Sequence, residues 1–124
     1  NIMRRSIKRT IVLTVLSFSV VCAVPALAKS ANMDDGYAYN NASYSGGLRR
    51  CSAGTINNRD NEYASLYVCT TYQDGTQSDY WSGIVEDSAV VNFGWESTED
   101  YSSIHRLYTN RYSYERDSVS LSDG

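Results

Sequence analysis

Alternation of apolar and polar side chains is the feature that most limits how this chain folds. Ala89, Val91, Phe93 and Trp95 occupy every second position of one segment, which is the period of a strand with one buried face. Other aromatic and β-branched segments are separated by clusters of Gly, Asn, Asp and Ser, and no stretch has a helical apolar stripe. The sequence therefore predicts an all-β fold, a small antiparallel sandwich or barrel of about six strands.

Turn signals set the limits of these strands. Asn57–Asn61 is a dense turn cluster and predicts a hairpin between its flanking strands, and Asp74–Gly75 predicts a tight turn. The predicted strands are 37–44, 49–56, 62–72, 77–85, 89–95 and 104–114, with a polar loop at 97–103. We expect one domain over 37–116, a flexible arm at 29–36 and a loose tail at 117–124, where Val119 and Leu121 would suit an additional edge strand.

The amino-terminal segment has the three regions of a secretory signal. A cationic start with four basic residues precedes an apolar run from Ile11 to Val24, and the small residues Ala26 and Ala28 follow. The alternative is a membrane anchor, but the run is shorter than the roughly 20 residues that cross a bilayer. We therefore expect cleavage between Ala28 and Lys29, with residues 1–28 removed and no stable membrane anchor left. The protein would be secreted to the exterior or cell surface, or to the periplasm of a Gram-negative host.

Cleavage would leave two cysteines, since Cys22 lies in the signal. Cys51 and Cys69 are equally distant from Asp60, so a hairpin centred on Asp60 would place them opposite one another. An exported domain meets an oxidising compartment, and we expect a disulfide between them, which would stabilise the fold by about 3 kcal/mol. The alternatives are two thiols or an intermolecular bridge.

The charge balance restricts the partners. The signal carries four of the eleven Lys and Arg, which leaves seven against fourteen Asp and Glu and a net charge of −7. Nucleic acid and anionic lipid both need a cationic face and are not expected partners. A protein or cell-envelope component is compatible with this surface, and the sequence does not set an oligomeric state.

Few residues suggest catalysis. His105 is the only histidine and would have to act as the base of a hydrolase, but it lies mid-strand and no nucleophile-elbow sequence is present. We therefore expect no enzyme activity, no catalytic residue, no metal and no cofactor. We expect Trp81, Trp95 and Phe93 in an aromatic core, whereas exposed tyrosines suit recognition of carbohydrate or protein. The candidate binding surface comprises Tyr39, Tyr44, Tyr108, Tyr112 and Tyr114.

Two local resemblances bear on function. In the segment from Tyr39 to Gly46, four residues separate two aromatic residues, and one further residue separates the second aromatic from a glycine. This spacing resembles the Greek-key signature of the βγ-crystallin superfamily. That resemblance implies a small secreted protein that inhibits proteases or binds calcium; residues 98–103 are similar to the superfamily's calcium motif but depart from it at Thr98 and Glu99. Ala38 to Asn58 is similar to lactococcin-type bacteriocins, which implies action on the envelope of competing bacteria.

Together these features favour a secreted, non-enzymatic binding or effector domain that acts on a protein or cell-envelope partner, with an antibacterial role as one version. A small secreted protease inhibitor, with a rigid loop held by the disulfide, is the first alternative. A hydrolase using His105 is the second.

Overall fold

The computed structural model of the chain describes residues 24–112 and 114–122. In that part of the chain there are nine strands and no helix, so the predicted all-β class is confirmed. Most of the predicted signal peptide lies outside the described residues. The strands are β1 Val24–Met33, β2 Gly36–Ser45, β3 Leu48–Asn57, β4 Tyr63–Tyr72, β5 Gln77–Trp81, β6 Val85–Glu86, β7 Ser88–Asn92, β8 Thr98–Tyr108 and β9 Glu115–Ser122.

The strands form two antiparallel sheets that enclose one core. Sheet A has the order β1-β2-β3-β7, and sheet B has the order β5-β4-β8-β9. The two-residue strand β6 pairs with the start of β4, beside β5. The core cluster draws side chains from both sheets, which makes the molecule a sandwich.

The two sheets contribute side chains of different size to the core. Sheet A presents small residues, including Ala38 and Ala53, whereas sheet B presents Leu66, Leu107 and Tyr101. Large side chains opposite small ones allow the two inner faces to interdigitate without voids. The ring of Tyr101 is fully buried and stacks on Phe93 with 5.7 Å between centroids. Phe93 thus packs against the core as expected.

The two tryptophans were expected in the core, and the structure corrects this expectation. Trp81 is 52% exposed and Trp95 is 38% exposed. Trp81 faces outward from the edge strand β5, and Trp95 follows β7 and lies beneath the guanidinium of Arg50, at 4.6 Å from its ring. Each therefore keeps one side in solvent.

Two tight turns join neighbouring strands, and the predicted one at Asp74–Gly75 is present. Gly46 and Gly47 have φ of 56° and 82° and join β2 to β3 as a two-residue hairpin, which needs positive φ at both positions. Asp74 and Gly75 join β4 to β5, and the Asp74 carboxylate accepts hydrogen bonds from the backbone and hydroxyl of Thr76.

The predicted hairpin around Asn57–Asn61 is wrong. β3 and β4 belong to different sheets, so residues 58–62 cross from sheet A to sheet B. The crossing is held by side-chain bonds that a plain hairpin would not need: the Asn57 amide donates to the carbonyl of Tyr63 at 2.9 Å, and its oxygen accepts from the backbone of Arg59 at 3.0 Å. The two strands face each other across the core instead of sharing an edge.

The predicted disulfide is also wrong, for the same reason. Cys51 is 2% exposed and faces the core from β3, whereas Cys69 is half-buried on the outer face of sheet B. Sheet B separates the two side chains, and they are not at the distance of a disulfide.

Three segments expected to be irregular are strands. The segment assigned to a flexible arm, 29–36, contains most of the paired part of β1, and the polar segment 97–103 forms the first half of β8. The segment assigned to a loose tail forms β9, where Val119 and Leu121 pack against the core. Neighbouring strands supply the pairing in each case. The strands number nine and not six because β1 and β9 are additional and because the predicted strand 77–85 is divided into β5 and β6.

Candidate binding face

The five tyrosines predicted to form a binding surface lie in different places. Tyr39 faces outward from sheet A, whereas Tyr44 lies near the end of β2 with the Arg49 guanidinium 4.8 Å from its ring. Tyr108 is buried and its hydroxyl meets that of Ser65 at 2.9 Å. Tyr112 and Tyr114 lie between β8 and β9 and are 89% and 91% exposed. The structure does not bring these five together.

A continuous surface is formed instead by the outward side chains of sheet A. We call it the sheet A face, and its members are given by the alternation and register of β1, β2, β3 and β7. They are Ser30, Asn32, Tyr37, Tyr39, Asn41, Ser43, Leu48, Arg50, Ser52, Gly54, Ile56, Ser88, Val90 and Asn92.

The centre of this face is aromatic and aliphatic. Tyr37 is 39% exposed and Val90 is 44% exposed. The rings of Tyr37 and Tyr39 lie 6.3 Å apart with 34° between their planes. Tyr39, Gly54 and Val90 are directly opposite one another on adjacent strands, so the apolar surface continues from β2 across β3 to β7.

Gly54 explains how the Tyr39 ring is held. A Cβ at Gly54 would lie 2.6 Å from two carbons of that ring, so the ring occupies the space that any other side chain would fill. A glycine within a strand is otherwise unfavourable, and it marks a close approach here. The end of the Tyr39 ring therefore lies against the strand backbone at Gly54.

Amide and hydroxyl groups border the apolar centre. Asn41, Ser52 and Asn92 are register neighbours on three strands, and the Ser52 hydroxyl donates to the Asn92 amide oxygen at 2.6 Å. Asn32 lies beside Tyr37 on the other side. The amides of Asn32 and Asn41 are exposed and have no hydrogen-bond partner among the described residues.

The sheet A face is free of carboxylates in a chain rich in them. None of the strands β1, β2, β3 and β7 contains Asp or Glu, and Arg50 is the only charged side chain that points outward from the described residues of this sheet. The outer face of sheet B differs, because Asp79, Asp100 and Arg106 lie on it. On that face, burial and a hydrogen bond to Asp79 raise the pKa of Tyr67 to about 12.

An ionic cluster closes one end of the sandwich. The Arg116 guanidinium is 3.1 Å from the Glu62 carboxylate and 3.4 Å from that of Asp34, and it donates to the Asn57 amide oxygen at 2.8 Å. Arg59 donates to the Asp35 carboxylate at 2.8 Å. These contacts tie the β1–β2 turn and the crossing at 58–62 to β9, so the cluster has a structural role.

His105 lies inside the core, where it belongs to a chain of polar side chains. Its Nδ1 is 2.9 Å from the Thr55 hydroxyl and its Nε2 is 2.7 Å from the Ser103 hydroxyl. The Asn40 amide donates to the same Ser103 oxygen at 2.9 Å, and the Cys51 thiol donates to the Asn40 amide oxygen at 3.0 Å. The chain joins β2, β3 and β8 across the sandwich.

The contact between Ser103 and His105 resembles that between a nucleophile and its base, but a substrate could not reach it. His105 and Ser103 are 0% and 1% exposed, and a hydroxyl occupies the position where an orienting carboxylate would lie. Burial lowers the pKa of His105 to about 4, so the ring is neutral at pH 7. Each ring nitrogen has a partner, as buried polar groups require.

The described residues contain no group of three or more His, Cys, Asp or Glu that would hold a metal ion. No helix in the described part of the chain has the length and apolar character needed to cross a membrane. No family model, curated protein or solved structure matches the chain.

Sequence reasoning missed most of the sheet A face. Of the predicted tyrosines only Tyr39 belongs to it, while Tyr37, Ile56 and Val90 were not singled out. The available signal was the long interval without Asp or Glu between Asp35 and Asp60, which contains the whole of β2 and β3.

Proposed function

We propose that this protein is an exported, non-enzymatic binding domain that contacts a protein or cell-envelope partner through the sheet A face. The observation that carries the proposal is an exposed aromatic and aliphatic centre on a sheet whose strands contain no Asp or Glu. The amides of Asn32 and Asn41 at its border have no partner in the part of the chain that the structure describes. Soluble proteins leave few such patches uncovered unless they bind something.

The other two candidate functions have less support. A protease inhibitor of the predicted kind needs a loop held by a disulfide, and Cys51 and Cys69 are not joined. A hydrolase needs a base that substrate can reach, and the ring of His105 is enclosed by the core. A binding role needs neither feature.

Export is part of the proposal and has its own test. The full chain is produced in a bacterial host, and the intact mass of the exported product is measured. We expect a product that begins at Lys29. Its side chain donates from Nζ to the carbonyl of Ser122 at 2.6 Å, so a chain that begins there keeps the contact between β1 and β9. A product that retains residues 1–28 would refute the cleavage.

The binding role is tested by co-sedimentation with intact bacterial cells and with isolated cell walls. Tyr37→Asp places a carboxylate on the sheet A face, and Trp81→Asp places one at an exposed aromatic on sheet B as the matched control. We expect the wild type and Trp81→Asp to sediment with cells and Tyr37→Asp to remain in the supernatant. Growth inhibition of the same cells is measured in parallel.

Equal sedimentation of both variants with the wild type would refute the role of the face, and so would no sedimentation of any of them. Circular dichroism and melting curves confirm that each variant is folded. Inhibition of any enzyme in a panel of serine, cysteine and metalloproteases, undiminished by Tyr37→Asp, would replace the proposal with the inhibitor function.

A further inference from the structure

We propose that the ligand of the sheet A face is an uncharged polysaccharide. This inference rests on the proposed function and names the chemical class of its partner. It combines three properties of the face: aromatic rings held against the sheet, exposed neutral amides and hydroxyls beside them, and the absence of carboxylates.

The aromatic rings match the apolar faces of sugar rings. The Tyr39 ring lies close to the backbone at Gly54 on the outward side of sheet A. Tyr37 is 6.3 Å away and inclined by 34°, so the two rings lie side by side and form the aromatic platform that we propose for the ligand. Two adjacent tyrosine rings offer an extended chain of sugars a contact that costs little conformational entropy, because tyrosine has few rotatable bonds.

The bordering groups match hydroxyl groups. Asn32 and Asn41 lie on opposite sides of the tyrosine pair and have exposed amides, each of which is both a donor and an acceptor. Ser52 and Asn92 already bond to each other and extend this polar border towards β7. A neutral amide donates to and accepts from sugar hydroxyls without the desolvation cost of a charge.

The charge pattern disfavours the other classes of macromolecule. A nucleic acid or an anionic membrane requires several cations, and only Arg50 points outward from the described part of this face. Arg50 is itself stacked on Trp95. A protein interface has a fully buried apolar core, whereas here neutral amides and hydroxyls lie directly beside the two rings.

The test is titration calorimetry of the folded mature protein with cellohexaose and with chitohexaose, at low and high salt. Polygalacturonate serves as an anionic comparison. Tyr37→Ala removes one ring of the platform and Asn41→Ala removes one amide, while Trp81→Ala removes an exposed ring from sheet B as the matched control.

We expect at least one neutral oligosaccharide to bind, with an affinity that salt does not change. Tyr37→Ala should weaken binding by about tenfold or more, which corresponds to the loss of one stacking contact. Asn41→Ala should weaken it by less, and Trp81→Ala should leave it unchanged.

Several results would overturn the inference. If both neutral oligosaccharides fail to bind while cell sedimentation still depends on Tyr37, the binding function stands and the polysaccharide class is wrong. If an oligosaccharide binds equally well to Tyr37→Ala, its site lies elsewhere. If sedimentation velocity shows a dimer that Tyr37→Ala dissociates, the occupant of the face is a second copy of the chain. If binding requires polygalacturonate and disappears in salt, the ligand is anionic.

Discussion

Acid should destabilise this protein through His105, and the size of the effect follows from its surroundings. The ring is fully buried between Thr55 and Ser103, and burial lowers its pKa from 6.5 to about 4. In the unfolded chain the same ring titrates at its ordinary pKa. Between these two values the unfolded state binds a proton that the folded state does not, so the free energy of unfolding decreases as the pH decreases.

The magnitude is set by the interval between the two pKa values. Each pH unit in that interval costs about 1.4 kcal/mol, so the loss from pH 7 to pH 4 is about 3 kcal/mol. Above pH 6.5 both states are neutral at this ring, and well below pH 4 both are protonated, so the contribution is constant outside the interval. A domain of this size is stable by only about 5–15 kcal/mol, which makes the loss easily measured.

The assay is urea unfolding at half-unit pH steps, followed by tryptophan fluorescence, for the wild type and for His105→Gln. Glutamine retains a donor and an acceptor near Thr55 and Ser103 but does not titrate, so the difference between the two curves isolates the histidine from the carboxylates. We expect the wild type to lose about 3 kcal/mol more than His105→Gln between pH 7 and pH 4. The reasoning would be refuted if the free energy of unfolding changed with pH in parallel for the two proteins. It would also be refuted if NMR showed that His105 of the folded protein titrates near its ordinary pKa.

Three further predictions concern the fold. Reductant should leave the melting temperature unchanged, and a disulfide-linked pair of peptides in the mass spectrum would contradict this. Iodoacetamide should modify the half-buried Cys69 before the buried Cys51, and peptide mass mapping under native conditions checks the order. Gly54→Ala should cost about 2 kcal/mol in urea unfolding, because its Cβ would overlap the aromatic ring that covers it; no loss would show that the ring moves away easily. Arg116→Met should cost about 3 kcal/mol, because it leaves buried acceptors without their cation. The matched change Arg106→Met, at an exposed ion pair, should cost under about 1 kcal/mol, and equal losses for the two would refute the ranking.

Local turn chemistry was readable from the sequence because each signal acts over a few residues. Gly46–Gly47 and Asp74–Gly75 close hairpins whose geometry depends on the residues in the turn itself. The alternation at 89–95 likewise predicted a strand, and β7 occupies its first part. In each case the residues that carry the sequence signal are the same residues that form the turn or strand.

The connection at 58–62 was not readable in this way. Its Asn and Asp residues indicate a change of direction, but they do not say whether the next strand pairs with the previous one or crosses to another sheet. That choice also involves contacts with residues that are remote in sequence, such as Asp34 and Arg116, which meet each other beside the crossing. The expected disulfide failed with it, because the positions of Cys51 and Cys69 were derived from the hairpin.

The assignment of strands to sheets also decides where the functional surface lies. A sequence without Asp or Glu from Gly36 to Arg59 predicts only two strands that lack carboxylates. Their outward faces become part of a larger surface because β7, which also lacks carboxylates, pairs with β3. The acidic residues then lie in turns, at the ends and on sheet B, and the net negative charge of the chain does not describe the surface that is available for binding. An acidic protein with a sheet face that lacks carboxylates repels anionic surfaces as a whole while keeping one side on which neutral sugars can dock, and this segregation is the physical basis of the specificity we propose.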